Sequence, residues 1–90
     1  MAEHTTRVVA RYFPDGRIEE QPELLTLKGL QDAVGGYIQL VACVLPGRTL
    51  IVNEDGINLD LPYNPLASRL VSPGVLMYGY LRGVVLLVAA

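Results

Sequence analysis

Hydrophobic and polar positions change period several times along the chain, and each change marks a boundary. Residues 5–13, Thr-Thr-Arg-Val-Val-Ala-Arg-Tyr-Phe, are rich in β-branched and aromatic types and predict a strand. Pro14-Asp15-Gly16 adds a proline-led turn ending in glycine, so a hairpin is expected. Its return strand, 17–21, has Ile18 as its only strong apolar residue and carries Glu19 and Glu20, which suits a sheet edge. Beyond Pro22 the period becomes helical. Thr26 is placed to cap a helix in which Leu27, Leu30 and Val34 fall at i, i+3 and i+7 beside Ala33, with Lys28, Gln31 and Asp32 opposite. Gly35-Gly36 supplies a left-handed stop.

Residues 37–45 form a nearly unbroken apolar run with one polar residue, Gln39, which predicts a central strand covered on both faces. Pro46-Gly47-Arg48 turns the chain into a strand over 49–53, and Asn53-Glu54-Asp55-Gly56 ends that strand. Ile57, Leu59 and Leu61 alternate with Asn58 and Asp60, the period of an extended segment with one face buried, and Pro62 stops it. Asn64-Pro65 pairs an N-cap with a first-turn proline and opens a helix of two turns at most. Strands over 75–81 and 84–88 close the chain around Arg82-Gly83. The order is β-β-α-β-β-β-α-β-β: an α+β class with a mainly antiparallel sheet, one principal helix and one short helix. A β-grasp-like roll is one topology compatible with it.

Composition narrows the class. Ninety residues make one small domain, 1–90, with 1–4 expected as a flexible tail, and a hydrophobic content of 51% is enough to fill a core. A net charge of −2 gives no sequence-wide drive towards nucleic acid or anionic lipid. Cys43 alone cannot form an internal disulfide, and with a single histidine it cannot complete a conventional zinc site. The N-terminal residues lack the basic and then apolar pattern of a secretory signal, and Pro73, Gly74, Gly79 and Arg82 break the longest apolar region well short of a membrane-spanning helix. A cytoplasmic location is expected. The apolar residues over 84–90 exceed what one small domain readily hides, so a homo-oligomer through this C-terminal segment is expected, by edge pairing or by an apolar patch, with a buried last strand as the alternative.

Three pieces of the chain carry a family resemblance: Leu30-Gln31-Asp32-Ala33-Val34-Gly35-Gly36-Tyr37-Ile38, then Leu50-Ile51-Val52-Asn53-Glu54-Asp55-Gly56, then Leu61-Pro62-Tyr63-Asn64-Pro65-Leu66-Ala67. They resemble a family of uncharacterised bacteriophage and mobile-element proteins, domain of unknown function 3846. The resemblance implies a helix ending in Gly-Gly-Tyr-Ile, a hairpin with an Asn-Glu-Asp-Gly turn, a Leu-Pro-x-Asn segment and a phage or mobile-element origin. Pro73-Gly74 stands here where Gly-Pro is the commoner order in that family. No activity comes with the resemblance.

Candidate chemistry gathers at two places. Asn53, Glu54, Asp55, Asn58 and Asp60, with Asn64 a little further on, put carboxylates and amides at a hairpin tip, where they suit a ligand hydroxyl or a hard cation. The simpler reading is a turn that satisfies its own backbone, with Asn64 as a helix cap. Five of the six aromatic residues are tyrosines, and Tyr37, Tyr63, Tyr78 and Tyr80, with Arg48, Arg69 or Arg82, suit a binding surface; ordinary sheet packing is the alternative. No glycine-rich phosphate loop precedes a helix, His4 lies in the tail, and Cys43 sits in an apolar strand, so nucleophilic catalysis finds no base. The chain therefore reads as a small binding module acting by occupancy of a protein or small ligand, without cofactor, nucleic acid or membrane. The alternative is a small metal-dependent hydrolase using Glu54, Asp55 and Asp60.

Overall fold

The C-terminal apolar run forms the middle of the sheet. The computed structural model describes residues 4–74 and 80–89. Its elements are β1 (Thr6–Tyr12), β2 (Ile18–Glu19), β3 (Glu23–Leu25), α1 (Leu27–Val34), β4 (Ile38–Ala42), β5 (Arg48–Asn53), β6 (Tyr63–Asn64), α2 (Pro65–Ser68), β7 (Leu81–Arg82) and β8 (Val85–Ala89). The main sheet runs β2-β1-β8-β5-β4, with β3 also on β1, and β6 pairs with β7 in a separate ladder. Every ladder among the described residues is antiparallel. The expected α+β order holds, with the three-residue β3 added. First and last strands lie side by side at the centre as in a β-grasp roll, but here they run antiparallel.

β8 is all valine, leucine and alanine, which is what a strand buried on both faces requires. Val85, Leu87 and Leu50 pack on one side of the sheet with Ala67, Val41, Val52 and Leu81. Leu86, Val88 and Ile51 pack on the other with Leu30 and Val34 of α1. A register shift between Val8 and Ala10 sends these two residues of one strand into opposite cores, as a bulge does. Because β1 and β5 pair both edges of β8, the open choice for the C-terminal segment resolves towards a buried strand. Val85–Ala89 therefore leaves no free edge on which a second copy could pair.

Several other expectations change. Residues 37–45 are not the central strand: β4 ends the path of the main sheet, and its Gln39, Leu40 and Ala42 are exposed. α1, at eight residues about 12 Å long, is too short to cover a sheet of this width. Its Leu30 and Val34 are buried, but Leu27 at the first helical position is 57% exposed, so the expected stripe is one residue shorter. Thr26 caps the helix by accepting from the Gly29 amide, and Gly35 ends it at φ 83°, where a side chain would be strained. Residues 57–61 form hydrogen-bonded turns: Leu59 N–H donates to Asp55 O, Asp60 N–H to Ile57 O and Leu61 N–H to Gly56 O. Those amides are used within the loop, so the alternation there does not make a strand. α2 is a single turn, and of the strand expected over 75–81, residues 75–79 lie outside the described residues. Cys43 is half-buried against the core, as its apolar strand implies. Among the described residues, no helix is long and apolar enough to cross a membrane.

The small β6-β7 ladder is joined to the main sheet by the Asn64 side chain and, past α2, by backbone bonds from Val44 N–H to Leu70 O and from Ser72 N–H to Ala42 O. Asn64 is fully buried; its Nδ2 donates to Tyr12 O at 3.0 Å and Gly83 O at 2.9 Å, and its Oδ1 accepts from the Ala67 amide at 3.2 Å. Its backbone carbonyl accepts from Ser68 Oγ, which in turn accepts from the Leu81 amide, both at 2.7 Å. Gly83 closes the turn between β7 and β8 at φ 79°, where an added Cβ would lie 2.9 Å from Leu61 Cδ1. On the far side of the sheet, Arg11 holds Glu23 through Nε and Nη2 at 2.7 and 2.9 Å, and this pairing raises the Arg11 pKa.

Two outcomes are expected. Asn64→Ala removes a cap and leaves the buried Gly83 carbonyl and the part-buried Tyr12 carbonyl without their donor, so urea unfolding is expected to show a loss of about 3 kcal/mol. Asn64→Asp keeps the cap acceptor but sets a carboxylate against two carbonyl oxygens, and loses at least as much. Burial, with Glu20 and Cys43 contributing, raises the Tyr12 phenol above the usual tyrosine range. The fold thus favours the neutral phenol, and this contribution is complete below about pH 10 and declines as pH rises through the raised value. Urea titrations from pH 9 to 11 are expected to show a steeper stability loss for the wild type than for Tyr12→Phe.

Candidate functional site

The hairpin tip resolves into scaffold and surface. Asn53 is buried; its Nδ2 donates to Val34 O at 3.1 Å, satisfying a C-terminal carbonyl of α1, and its Oδ1 accepts from the Asp55 amide at 2.7 Å. Its own carbonyl accepts from the Gly56 amide. Asn53 and Asn64 are thus occupied within the fold and leave the set of ligand-facing candidates. Glu54 and Asp55 are exposed, and Asp60 accepts from Arg82 Nη1 at 3.1 Å. Among the described residues, no group of three or more His, Cys, Asp and Glu side chains could hold a metal ion.

A second cluster forms where β6 meets β7. The ladder sets Tyr63 opposite Arg82. The Tyr63 and Tyr80 rings meet edge to face, with centroids 5.7 Å apart and planes at 82°. The Arg82 guanidinium lies 5.4 Å from the centre of the Tyr80 ring, and its Nη1 donates to both Asp60 Oδ1 and Leu61 O. Arg82 Nε is buried without a hydrogen-bond partner. Arg82 also lines a cleft of about 80 Å³, together with Gln39, Glu54, Ile57 and Tyr80 among others. The loop leading into β6 holds two large aliphatic side chains in water, Ile57 at 55% and Leu59 at 57% exposure. Asp60 sits at φ 52°, a left-handed conformation that aspartate adopts more readily than most residues.

The remaining candidates are dispersed. Tyr37 is exposed beside the C-terminus of α1, where its carbonyl accepts from the Glu54 amide, and its ring does not line the Arg82 cleft. Arg69 is exposed at the end of α2. Tyr78 lies outside the described residues. Of the tyrosines singled out in the sequence, Tyr63 and Tyr80 are brought together.

Sequence reasoning missed two features. Ile57 and Leu59 read as the buried face of a strand; Asp55 and Gly56 as the start of a tight loop were the available signal. An apolar groove of about 530 Å³ also opens where α1 stops short of covering the sheet, with Leu27 and Leu40 at its rim and Thr49, Ile51 and Val88 among its lining. Nothing in the periodicity marks it, because groove residues and core residues share the same strand faces.

Chemically, the Tyr63-Tyr80-Arg82 cluster offers aromatic surface, a preset guanidinium and flanking aliphatic side chains, a composition suited to recognition. No curated protein and no solved structure matches the chain. The family model described as Domain of unknown function (DUF3846) matches residues 9–90. That match takes in the helix with its Gly-Gly stop, both central hairpin strands, the Leu-Pro-Tyr-Asn segment and β8, and the chain therefore belongs to the DUF3846 family.

Proposed function

We propose that the protein is a small binding module that acts by occupancy, engaging a protein partner through the face formed by Ile57, Leu59, Tyr63, Tyr80 and Arg82. The observation that carries this reading is the exposure of Ile57, Leu59 and Tyr63 around a fixed tyrosine–arginine contact. Burying a leucine-sized side chain is worth about 1.5–3 kcal/mol, so leaving two in water on a hydrogen-bonded loop forgoes stability that a partner could supply. Tyrosine and arginine are also the side chains that most often dominate interface energetics. A phage or mobile-element origin, which the family resemblance supports, would make a host protein the class of partner. No observation favours the metal-dependent hydrolase, since Glu54 and Asp55 face solvent and Asp60 is held by Arg82.

Affinity capture from host extract tests the reading, with three baits compared at equal loading. The wild type and the groove variant Leu40→Ser are expected to retain the same partner. Leu59→Ser combined with Tyr63→Ala is expected to lose it, each substitution lowering affinity by about 30-fold or more. Identical capture by all three baits, or none by the wild type, contradicts the assignment. Circular dichroism of the double variant is expected to match the wild type, which separates loss of the face from loss of the fold.

A further inference from the structure

Arg82 is held by one end. Nη1 donates to Asp60 Oδ1 at 3.1 Å and to Leu61 O at 2.9 Å, which fixes the plane of the guanidinium. The side-on edge, Nε with Nη2, has no acceptor among the described residues, and Nε is buried. The same molecule shows what this edge takes: Arg11 uses Nε and Nη2 to grip both oxygens of Glu23 at 2.7 and 2.9 Å. A buried N–H left without an acceptor is destabilising, and a charge-assisted, two-point bond to a carboxylate is the strongest way to satisfy it.

Size and charge limit the occupant. A cleft of about 80 Å³ admits the end of a side chain or a very small acid, and excludes a nucleotide. Asp60 is largely exposed, with a side-chain exposure of 93%, so water screens its charge and the guanidinium keeps most of its attraction for an anion. The Tyr80 ring beneath the guanidinium and the Gln39 amide add an aromatic wall and a neutral polar group. Glu54 also lines the cleft, and its carboxylate opposes a second one there.

We infer that the free Nε/Nη2 edge of Arg82 is a receptor for a single carboxylate, bound in the cleft beside Tyr80 and Gln39. The carboxylate comes either from an aspartate or glutamate side chain of a protein partner or from a free small acid. The inference rests on the reading of this face as a binding surface, and names the chemistry that the surface recognises.

The test is a titration followed by the arginine Nε–H resonances and backbone amides of the ¹⁵N-labelled protein at constant ionic strength. The probes are sodium acetate, N-acetylglutamate amide and the neutral N-acetylglutamine amide. The Arg82 Nε–H signal is expected to move downfield and saturate in the millimolar range with both carboxylates and to stay still with the glutamine probe. Glu54→Gln is expected to tighten the response several-fold. Arg82→Lys, whose spectrum also reports its folding, is expected to abolish the saturable shift of the Leu81 and Gly83 amides. Tighter binding of the glutamate probe assigns the site to a protein side chain, and equal binding assigns it to a free acid. An Arg82 signal that moves no more than that of exposed Arg48, or that responds equally to the glutamine probe, overturns the inference. If capture depends on Leu59 and Tyr63 but acetate has no effect, the carboxylate site alone fails. An acetate response without that dependence sinks the partner-binding reading and leaves the Arg82 site standing.

Discussion

The carboxamide of Asn64 joins three segments that are far apart in sequence. Its amide nitrogen bonds to the end of β1 and to the turn before β8, and its oxygen caps α2. The group is fully buried, so each of those bonds forms away from water, and leaving any partner unpaired carries the desolvation penalty of a buried polar group. Ser68 extends the network to Leu81, which links β6, α2 and β7 to one another and to the central strand. Tyr63 precedes Asn64 in the chain and Arg82 follows Leu81, so the two side chains that anchor the candidate site are each one residue from this network.

Around that anchor the fold divides its labour. The central strands β1, β8 and β5 bury aliphatic side chains on both faces. Asn53 does for α1 what Asn64 does for α2: it satisfies a helix-end group and fixes a turn with one side chain. Both asparagines have the polarity of ligand-binding residues and are consumed by the scaffold. The next layer is what remains for recognition: Ile57, Leu59 and Tyr63 at the surface, and a half-buried Arg82 bonded at Nη1 with its buried Nε unpaired. An arginine fixed at Nη1 has already lost much of its side-chain freedom, so an incoming acceptor meets a preset donor pair.

Much of this was legible in the sequence. Thr26 as a cap, Gly35 as a left-handed stop, the Pro14-Asp15-Gly16 turn and Asn64-Pro65 as a helix start each rest on local backbone chemistry, and each stands in the structure. Strand neighbours did not follow, because periodicity states which faces are buried and not which strands adjoin. The run over 37–45 and β8 are similarly apolar, and only β8 has both edges paired. At the site, the turn reading of Asn53 and the capping reading of Asn64 hold. The tyrosine cluster was half legible: the usage of tyrosine pointed to it, but the meeting of Tyr63 with Tyr80 depends on a two-residue ladder too short to leave a periodic signal. The exposed Ile57 and Leu59 ran against their alternation because the loop uses their neighbours' amides internally.

Native-state hydrogen exchange, resolved by residue, tests most directly the claim that the Asn64 network makes the binding face part of the rigid core. The Ala67 amide, bonded to Asn64 Oδ1, and the Leu81 amide, bonded to Ser68 Oγ, are expected to exchange only through global unfolding, with the same opening free energy as the amides of β8. Exchange of Ala67 and Leu81 through a local opening, while β8 stays protected, would contradict it: the face would then be a separate, loosely held unit and Arg82 would not be preset.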